Sequence, residues 1–128
     1  MVIDTSAIMA IMLVEAEALS FAEAIENAPT RRMSAGTLLE LGIVANSRRG
    51  RSGRPDIDAF IHNAQIEIVP FDLEQARIAG EAYRRYGRGN HRAGLNFGDC
   101  FAYALAQATG EPLLFKGADF ARTDVVPA

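Results

Sequence analysis

Val2-Ile3-Asp4-Thr5-Ser6-Ala7 decides the reading of this chain. Two apolar residues of strand character run into three residues whose side-chain oxygens accept hydrogen bonds from the free N–H groups at a helix start. A strand therefore hands over to a helix at Asp4. Helical composition follows over residues 7–14 and again over 16–26, where Leu19, Ala22 and Ile25 share one face and Glu23 and Glu26 turn outward, until Asn27-Ala28-Pro29 closes the helix. The alternation repeats. A strand is predicted over 30–33, and Ser34 caps a helix from Ala35 to about Arg49 that carries Leu38, Leu41 and Val44, before a break over 50–53. Pro55 suits the first turn of a short amphipathic segment with Ile57, Phe60 and Ile61, ending at Asn63. Glu67-Ile68-Val69-Pro70 reads as a strand, and Asp72 caps a helix with Leu73, Ala76, Ala79, Ala82, Tyr83 and Tyr86 at helical spacing. After an arginine-bearing loop over 87–94, Asn96 caps a strongly apolar helix to about Ala108. Thr109-Gly110 ends it, Leu113-Leu114-Phe115 reads as a buried strand, and Val125-Val126 is a candidate last strand.

Strands alternating with helices across short breaks predict a three-layer α/β/α fold with a central parallel sheet of four to five strands. In such sheets ligands gather beyond the carboxyl ends of the strands. Asp4 falls at one of those ends, and Asp119, after the strand over 113–115, falls at another. The length of 128 residues fits a single domain, 1–128, with 49% hydrophobic and 23% charged residues placing it in the globular class. The opening residues carry no basic segment, apolar core or cleavage site of an export signal, and the longest apolar run, 7–14, is far short of the roughly 20 residues a membrane span needs. A cytoplasmic protein without membrane association is expected. Cys100 has no partner for an internal disulfide and reads as a small buried hydrophobe.

The net charge of -3 does not advertise a nucleic-acid binder, yet 12 of the 13 basic residues are arginine and they cluster. Arg48, Arg49, Arg51 and Arg54 form one group; Arg84, Arg85, Arg88 and Arg92 form another. Arginine suits forked recognition of phosphate or carboxylate, while a solvated loop explains either group alone. His62 and His91 stand in separate polar contexts and read as surface residues.

Three stretches are almost free of charge, and each carries a single carboxylate: Asp4 in 1–14, Glu40 in 33–47 and Asp99 in 93–109. Each has a local account. Asp4 serves as a helix cap, and Asp99, third in the helix that Asn96 caps, is favoured by the helix dipole. Glu40 has only Gly36, Thr37, Ile43 and Val44 one turn away, so it is an acid on a face without a charged partner. Taken together they point further, because a parallel fold brings the end of the first strand beside two neighbouring helices. Converging carboxylates must bind protons or share a cation, and an all-oxygen cluster favours Mg²⁺, or Mn²⁺, over Zn²⁺.

Asp4-Thr5-Ser6-Ala7 after a first strand, Glu40 in a helix opened by Ser34-Ala35, Leu95-Asn96-Phe97-Gly98-Asp99-Cys100, and Leu114-Phe115-Lys116-Gly117-Ala118-Asp119-Phe120 then Thr123-Asp124 resemble a PIN domain, specifically a VapC-type toxin ribonuclease. The resemblance spans essentially the whole chain. It implies a PIN-like fold and an Mg²⁺-dependent endoribonuclease of a type II toxin–antitoxin system. Asp4, Glu40, Asp99 and Asp119 then stand as the catalytic, metal-holding acids, with Asp124 an alternative to Asp119. Thr5, Ser6 and Asn96 match supporting polar positions. A bound Mg²⁺ activates a water for in-line attack on a phosphodiester and neutralises phosphoryl charge, so no protein base is required. The resemblance also implies RNA as substrate, a cognate VapB-type antitoxin, a homodimer, and a heterotetramer or larger assembly with that antitoxin. A non-catalytic PIN-like protein-binding module is the competing expectation. A phosphotransferase using Asp4 as nucleophile fits less well, because position 6 is Ser where such enzymes present a second Asp.

Overall fold

The computed structural model describes residues 1–128. Its elements are β1 (Val2–Ile3), α1 (Thr5–Met12), α2 (Ala18–Asn27), β2 (Arg32–Ser34), α3 (Ala35–Arg49), α4 (Gly53–Asn63), β3 (Glu67–Val69), α5 (Leu73–Tyr86), α6 (Phe97–Thr109) and β4 (Leu113–Leu114), with 3-10 turns at Gly50–Ser52 and Phe120–Arg122. The strands form one parallel sheet in the order β3-β2-β1-β4. Val125-Val126 adds no fifth strand; the chain end contributes only an isolated bridge between Pro127 and Leu113.

Successive residues of a strand point to opposite faces, and both faces here are covered by helices. Ile3, Met33 and Leu114 enter a core with Ile8 of α1, Ile25 of α2, Leu41 of α3 and Ile57 of α4. Their neighbours Val2 and Leu113 enter a second core with Ala82 and Tyr86 of α5 and Ala102, Tyr103 and Leu105 of α6. The two-residue strand Val2-Ile3 thus divides its side chains between two cores, which is why both are apolar.

Several boundaries differ from the sequence reading. Helix α1 begins at Thr5 and stops at Met12, because Val14 takes a positive φ of 54° and stands exposed. Leu19 of α2 and Leu73 of α5 are exposed, not core, and the buried face of α5 runs through Gln75, Ala79, Ala82 and Tyr86. Apolar character placed Leu19 and Leu73 inside; the actual helix orientation does not.

The sheet order positions the site. From β1 the chain crosses toward β2 and β3 on one side, and β4 returns on the other, so the direction of winding reverses between β1 and β4. That reversal opens a crevice at the carboxyl ends of these two strands. Asp4 immediately follows β1, and its N–H donates to the Leu114 carbonyl of β4 at 3.0 Å.

Candidate metal-binding acid site

Asp4 caps α1. Its Oδ2 accepts from the Ser6 N–H at 3.0 Å and the Ser6 hydroxyl at 2.6 Å. Its Oδ1 is buried and has no hydrogen-bond partner. Burial pushes the Asp4 carboxyl up to about 6, against the opposing Ser6 bonds and with help from the Glu40 charge. The Ser6 hydroxyl also accepts from the Lys116 N–H at 2.9 Å, tying Asp4 to the segment that leads from β4 to Asp119.

Glu40 sits in the middle of α3. The buried Thr5 hydroxyl donates to its Oε1 at 2.6 Å. Its carboxylate lies against the backbone of Gly98 so closely that any Cβ at position 98 would overlap it. The α3–α6 approach is made by a second glycine as well, since Gly36 lies so close to the Phe101 ring that a Cβ there would overlap it.

Asn96 and Asp99 form a capping box at the start of α6: Asn96 Oδ1 accepts from the Asp99 N–H, and Asp99 Oδ2 accepts from the Asn96 N–H, both at 2.9 Å. Burial pushes the Asp99 carboxyl up to about 7, and the charges of Asp4, Asp119 and Glu40 add to the rise. Asp99 therefore feels all three other acids at once. Asp119 is exposed at the start of the 3-10 turn and makes no side-chain cap.

Asp124 lies elsewhere. It accepts from the Tyr103 hydroxyl at 2.6 Å and faces Arg85 at 3.6 Å, which fastens the chain end to α5 and α6; burial, and then the bond to Asp124, push the Tyr103 hydroxyl up. His62 is exposed on α4. His91 is not a free surface histidine: its Nδ1 accepts from the Ala93 N–H at 3.0 Å and its ring meets Tyr86 edge-on.

One oxygen each of Asp4, Glu40 and Asp99 is thus held by a neighbouring donor, from Ser6, Thr5 and Asn96 respectively. The other Asp4 oxygen is buried and unsatisfied, an arrangement that is costly unless a cation or donor meets it. In these rotamers no three acids make a ready-made metal cage. The donor set nonetheless suits a hard divalent ion, being all oxygen with no Cys or His among it. The sequence reading gives Gly98 and Lys116 no role at this site. Only Gly98, between Asn96 and Asp99, carried any signal; the contact of Lys116 is through its backbone, which side-chain identity does not advertise.

The PIN domain family model matches residues 1–126. A ribonuclease VapC of Mycolicibacterium smegmatis is 51% identical over 125 residues, covering 98% of this chain and 97% of that protein. Ribonuclease VapC30 of Mycobacterium tuberculosis is 47% identical over 125 residues, covering 98% and 95%. In structure, VapC20 of Mycobacterium tuberculosis, a toxin that cleaves the sarcin-ricin loop, superposes with a TM-score of 0.80 at 18% identity, covering 99% of this chain and 97% of that one. A toxin–antitoxin complex from Klebsiella pneumoniae gives 0.72 at 20% identity, covering 99% and 95%.

Proposed function

Since this chain belongs to the PIN domain family, in its VapC branch, we propose that it is the ribonuclease toxin of a type II toxin–antitoxin pair, hydrolysing RNA phosphodiester bonds with Mg²⁺ at the Asp4, Glu40, Asp99 and Asp119 cluster. The observation that carries this reading is the buried, unpartnered Oδ1 of Asp4 among three further acids. Relatives named ribonuclease VapC at 47% and 51% identity support the activity.

Asp4 Oδ1, Glu40, Asp99 and Asp119 are the groups that would hold Mg²⁺, or Mn²⁺ in its place. Bound there, the ion would lower the pKa of a water and neutralise charge on the phosphoryl oxygens. The chain itself supplies orientation. Ser6 tethers one oxygen of Asp4, Thr5 one of Glu40 and Asn96 one of Asp99, which leaves the other oxygen of each for an ion. Neither histidine stands ready as a protein base, given the exposure of His62 and the engagement of His91 Nδ1.

The partner in this reading is a VapB-type antitoxin whose Arg or Lys neutralises the acid crevice, as opposite charges would demand. A homodimer uses the exposed Leu39 and Ile43 of α3 with the exposed Phe97 of α6, whose ring packs on Phe101 where Gly36 meets it. Two such copies with antitoxin give a heterotetramer or larger. No helix is long and apolar enough to cross a membrane, and a cytoplasmic address, where the RNA substrate is found, is part of the same proposal.

Sequencing RNA 5′ ends after expression of the parent beside Asp99→Asn tests the activity; equal cutting by both would overturn it. Melting temperature tests the ion. Mg²⁺ or Mn²⁺ should raise it in the parent and not in Asp4→Asn, because a ligand of the folded state stabilises by mass action. A parent that neither cuts nor responds to either ion is a binding module.

A further inference from the structure

Ion pairing leaves two members of each arginine group free, and it is their placement that separates the groups. In the first, Arg49 donates to Asp56 at 2.9 Å and to the Met12 carbonyl at 2.8 Å and Arg54 pairs with Asp58 at 3.3 Å, while Arg48 and Arg51 are in no ion pair and no bond ties them to the segments that carry Asp99 and Asp119. In the second, Arg84 pairs with Glu81 and Arg85 with Asp124, but Arg88 and Arg92 pair with nothing. Arg122, from the distant turn after Asp119, joins them. Its Nη1 donates to the Arg92 carbonyl at 3.0 Å, and it too has no acidic partner. All three are exposed, and none takes part in any ion pair of the molecule.

Their placement is tied to the acids. The Arg88 N–H donates to the Leu95 carbonyl at 3.0 Å, directly before the Asn96 cap of α6 and hence beside Asp99 in the chain. Arg122 closes the turn that Asp119 opens, its N–H donating to the Asp119 carbonyl. The Arg92–Arg122 bond therefore links the segment that presents Asp99 to the segment that presents Asp119. The loop between Tyr86 and Leu95 is rigid for its length: the N–H groups of Asn90 and His91 both donate to the Gly87 carbonyl, His91 accepts from Ala93 and meets the Tyr86 ring edge-on, and Gly89 and Gly94 take φ of 88° and 64° that other residues adopt at a cost.

We propose that Arg88, Arg92 and Arg122 form a cationic rim on which the sugar–phosphate backbone of the RNA lies as it enters the acid crevice. This rests on the ribonuclease reading above and assigns the substrate-holding surface within it. A polyanion approaching four carboxylates on a chain of net charge -3 is repelled unless flanking phosphates meet unpaired cations, and guanidinium forks on a pre-formed loop meet them at little ordering cost. The acid crevice takes the phosphate that is cut; the rim takes its neighbours.

The test is binding of a fluorescent single-stranded RNA to the full chain carrying Asp99→Asn, so that the strand is not cut, across a KCl series. Each phosphate contact contributes about 0.7 to the slope of log affinity against log salt for single strands, so Arg88→Gln with Arg92→Gln should flatten the slope by roughly 1.4. Arg51→Gln, on the other arginine group, should leave the slope as it was. In the cutting-competent chain the double variant should raise KM more than it lowers kcat. An unchanged slope in the double variant, or equal flattening by Arg51→Gln, overturns the rim. Loss of affinity for a polyglutamate peptide with RNA binding intact also overturns it, reassigning the surface to an acidic protein. If the unmutated chain binds with the expected slope and never cuts, the ribonuclease reading fails and the rim stands; if it cuts and the double variant binds as tightly, the reverse holds.

Discussion

Replacing Asp4 by Asn should make the metal-free protein more stable at pH 8, although it removes a group at the centre of the site. Burial raises the Asp4 carboxyl from 3.8 to about 6, so the folded chain holds a proton there more tightly than the unfolded chain does. The stability this gives is fully present below pH 4 and is lost as pH rises through about 6; at pH 8 the ionised carboxylate is a net burden. Two pKa units at 1.36 kcal/mol each make that burden about 3 kcal/mol. Asn keeps an oxygen for Ser6 and caps helices as well as Asp does, but forfeits up to about 1 kcal/mol of charge–dipole attraction at the start of α1. The net gain is about 2 kcal/mol, roughly 6–10 °C for a domain of this size. Calorimetry of parent and Asp4→Asn with a chelator, at pH 5 and pH 8, reads it directly. The gap should be wide at pH 8 and small at pH 5, while Mg²⁺ should narrow it at pH 8 by stabilising only the parent. A variant that melts at or below the parent at pH 8 without metal, or a gap independent of pH, refutes the argument.

Gly98→Ala should move Glu40, because a methyl there overlaps its carboxylate; a displacement near 1 Å costs about 10²-fold in turnover, with the melting temperature showing whether the fold survives. Asp124→Asn should weaken the bond from the Tyr103 hydroxyl and the pair with Arg85, lowering stability by about 1–2 kcal/mol with RNA cutting retained, whereas Asp119→Asn should reduce cutting without lowering the melting temperature. Ser6→Ala should leave Asp4 Oδ2 held by the backbone N–H alone and release the Lys116 N–H; titration calorimetry should show Mg²⁺ affinity reduced by about 10-fold, as for lost supports of metal ligands elsewhere.

The layer order and the parallel sheet were legible because each rests on local pattern, apolar pairs before capping residues; single carboxylates in uncharged runs are what drew Asp4, Glu40 and Asp99 out of the sequence. The capping box of Asn96 and Asp99 is visible in the spacing alone. What was not legible depends on partners distant in the chain. Nothing local distinguishes Asp119 from Asp124; the difference is that Tyr103 and Arg85, 21 and 39 positions earlier, claim Asp124. Nothing local distinguishes Arg88 from Arg85 either, and Arg122 becomes part of the same group only when the turn after Asp119 folds against the 87–94 loop.

That contrast explains why a capping role and a functional role were not separable for Asp4. They are the same placement seen from its two oxygens. Oδ2 does what a helix cap does, accepting from Ser6, and a sequence pattern can detect that. Oδ1 does nothing a cap requires: it is buried, unpaired and surrounded by further negative charge, so the fold is less stable at neutral pH for its presence. Stability alone would favour Asn or Ser there, which cap without the charge. A carboxylate kept through that cost, beside Glu40 and Asp99 each likewise tethered by one oxygen, is what the proposed reading requires, in which an ion meets the free oxygens from outside. The measurement separating the two roles is therefore the sign of the stability change in Asp4→Asn without metal: a cap alone predicts a small loss, and a carboxylate held for an ion predicts a gain.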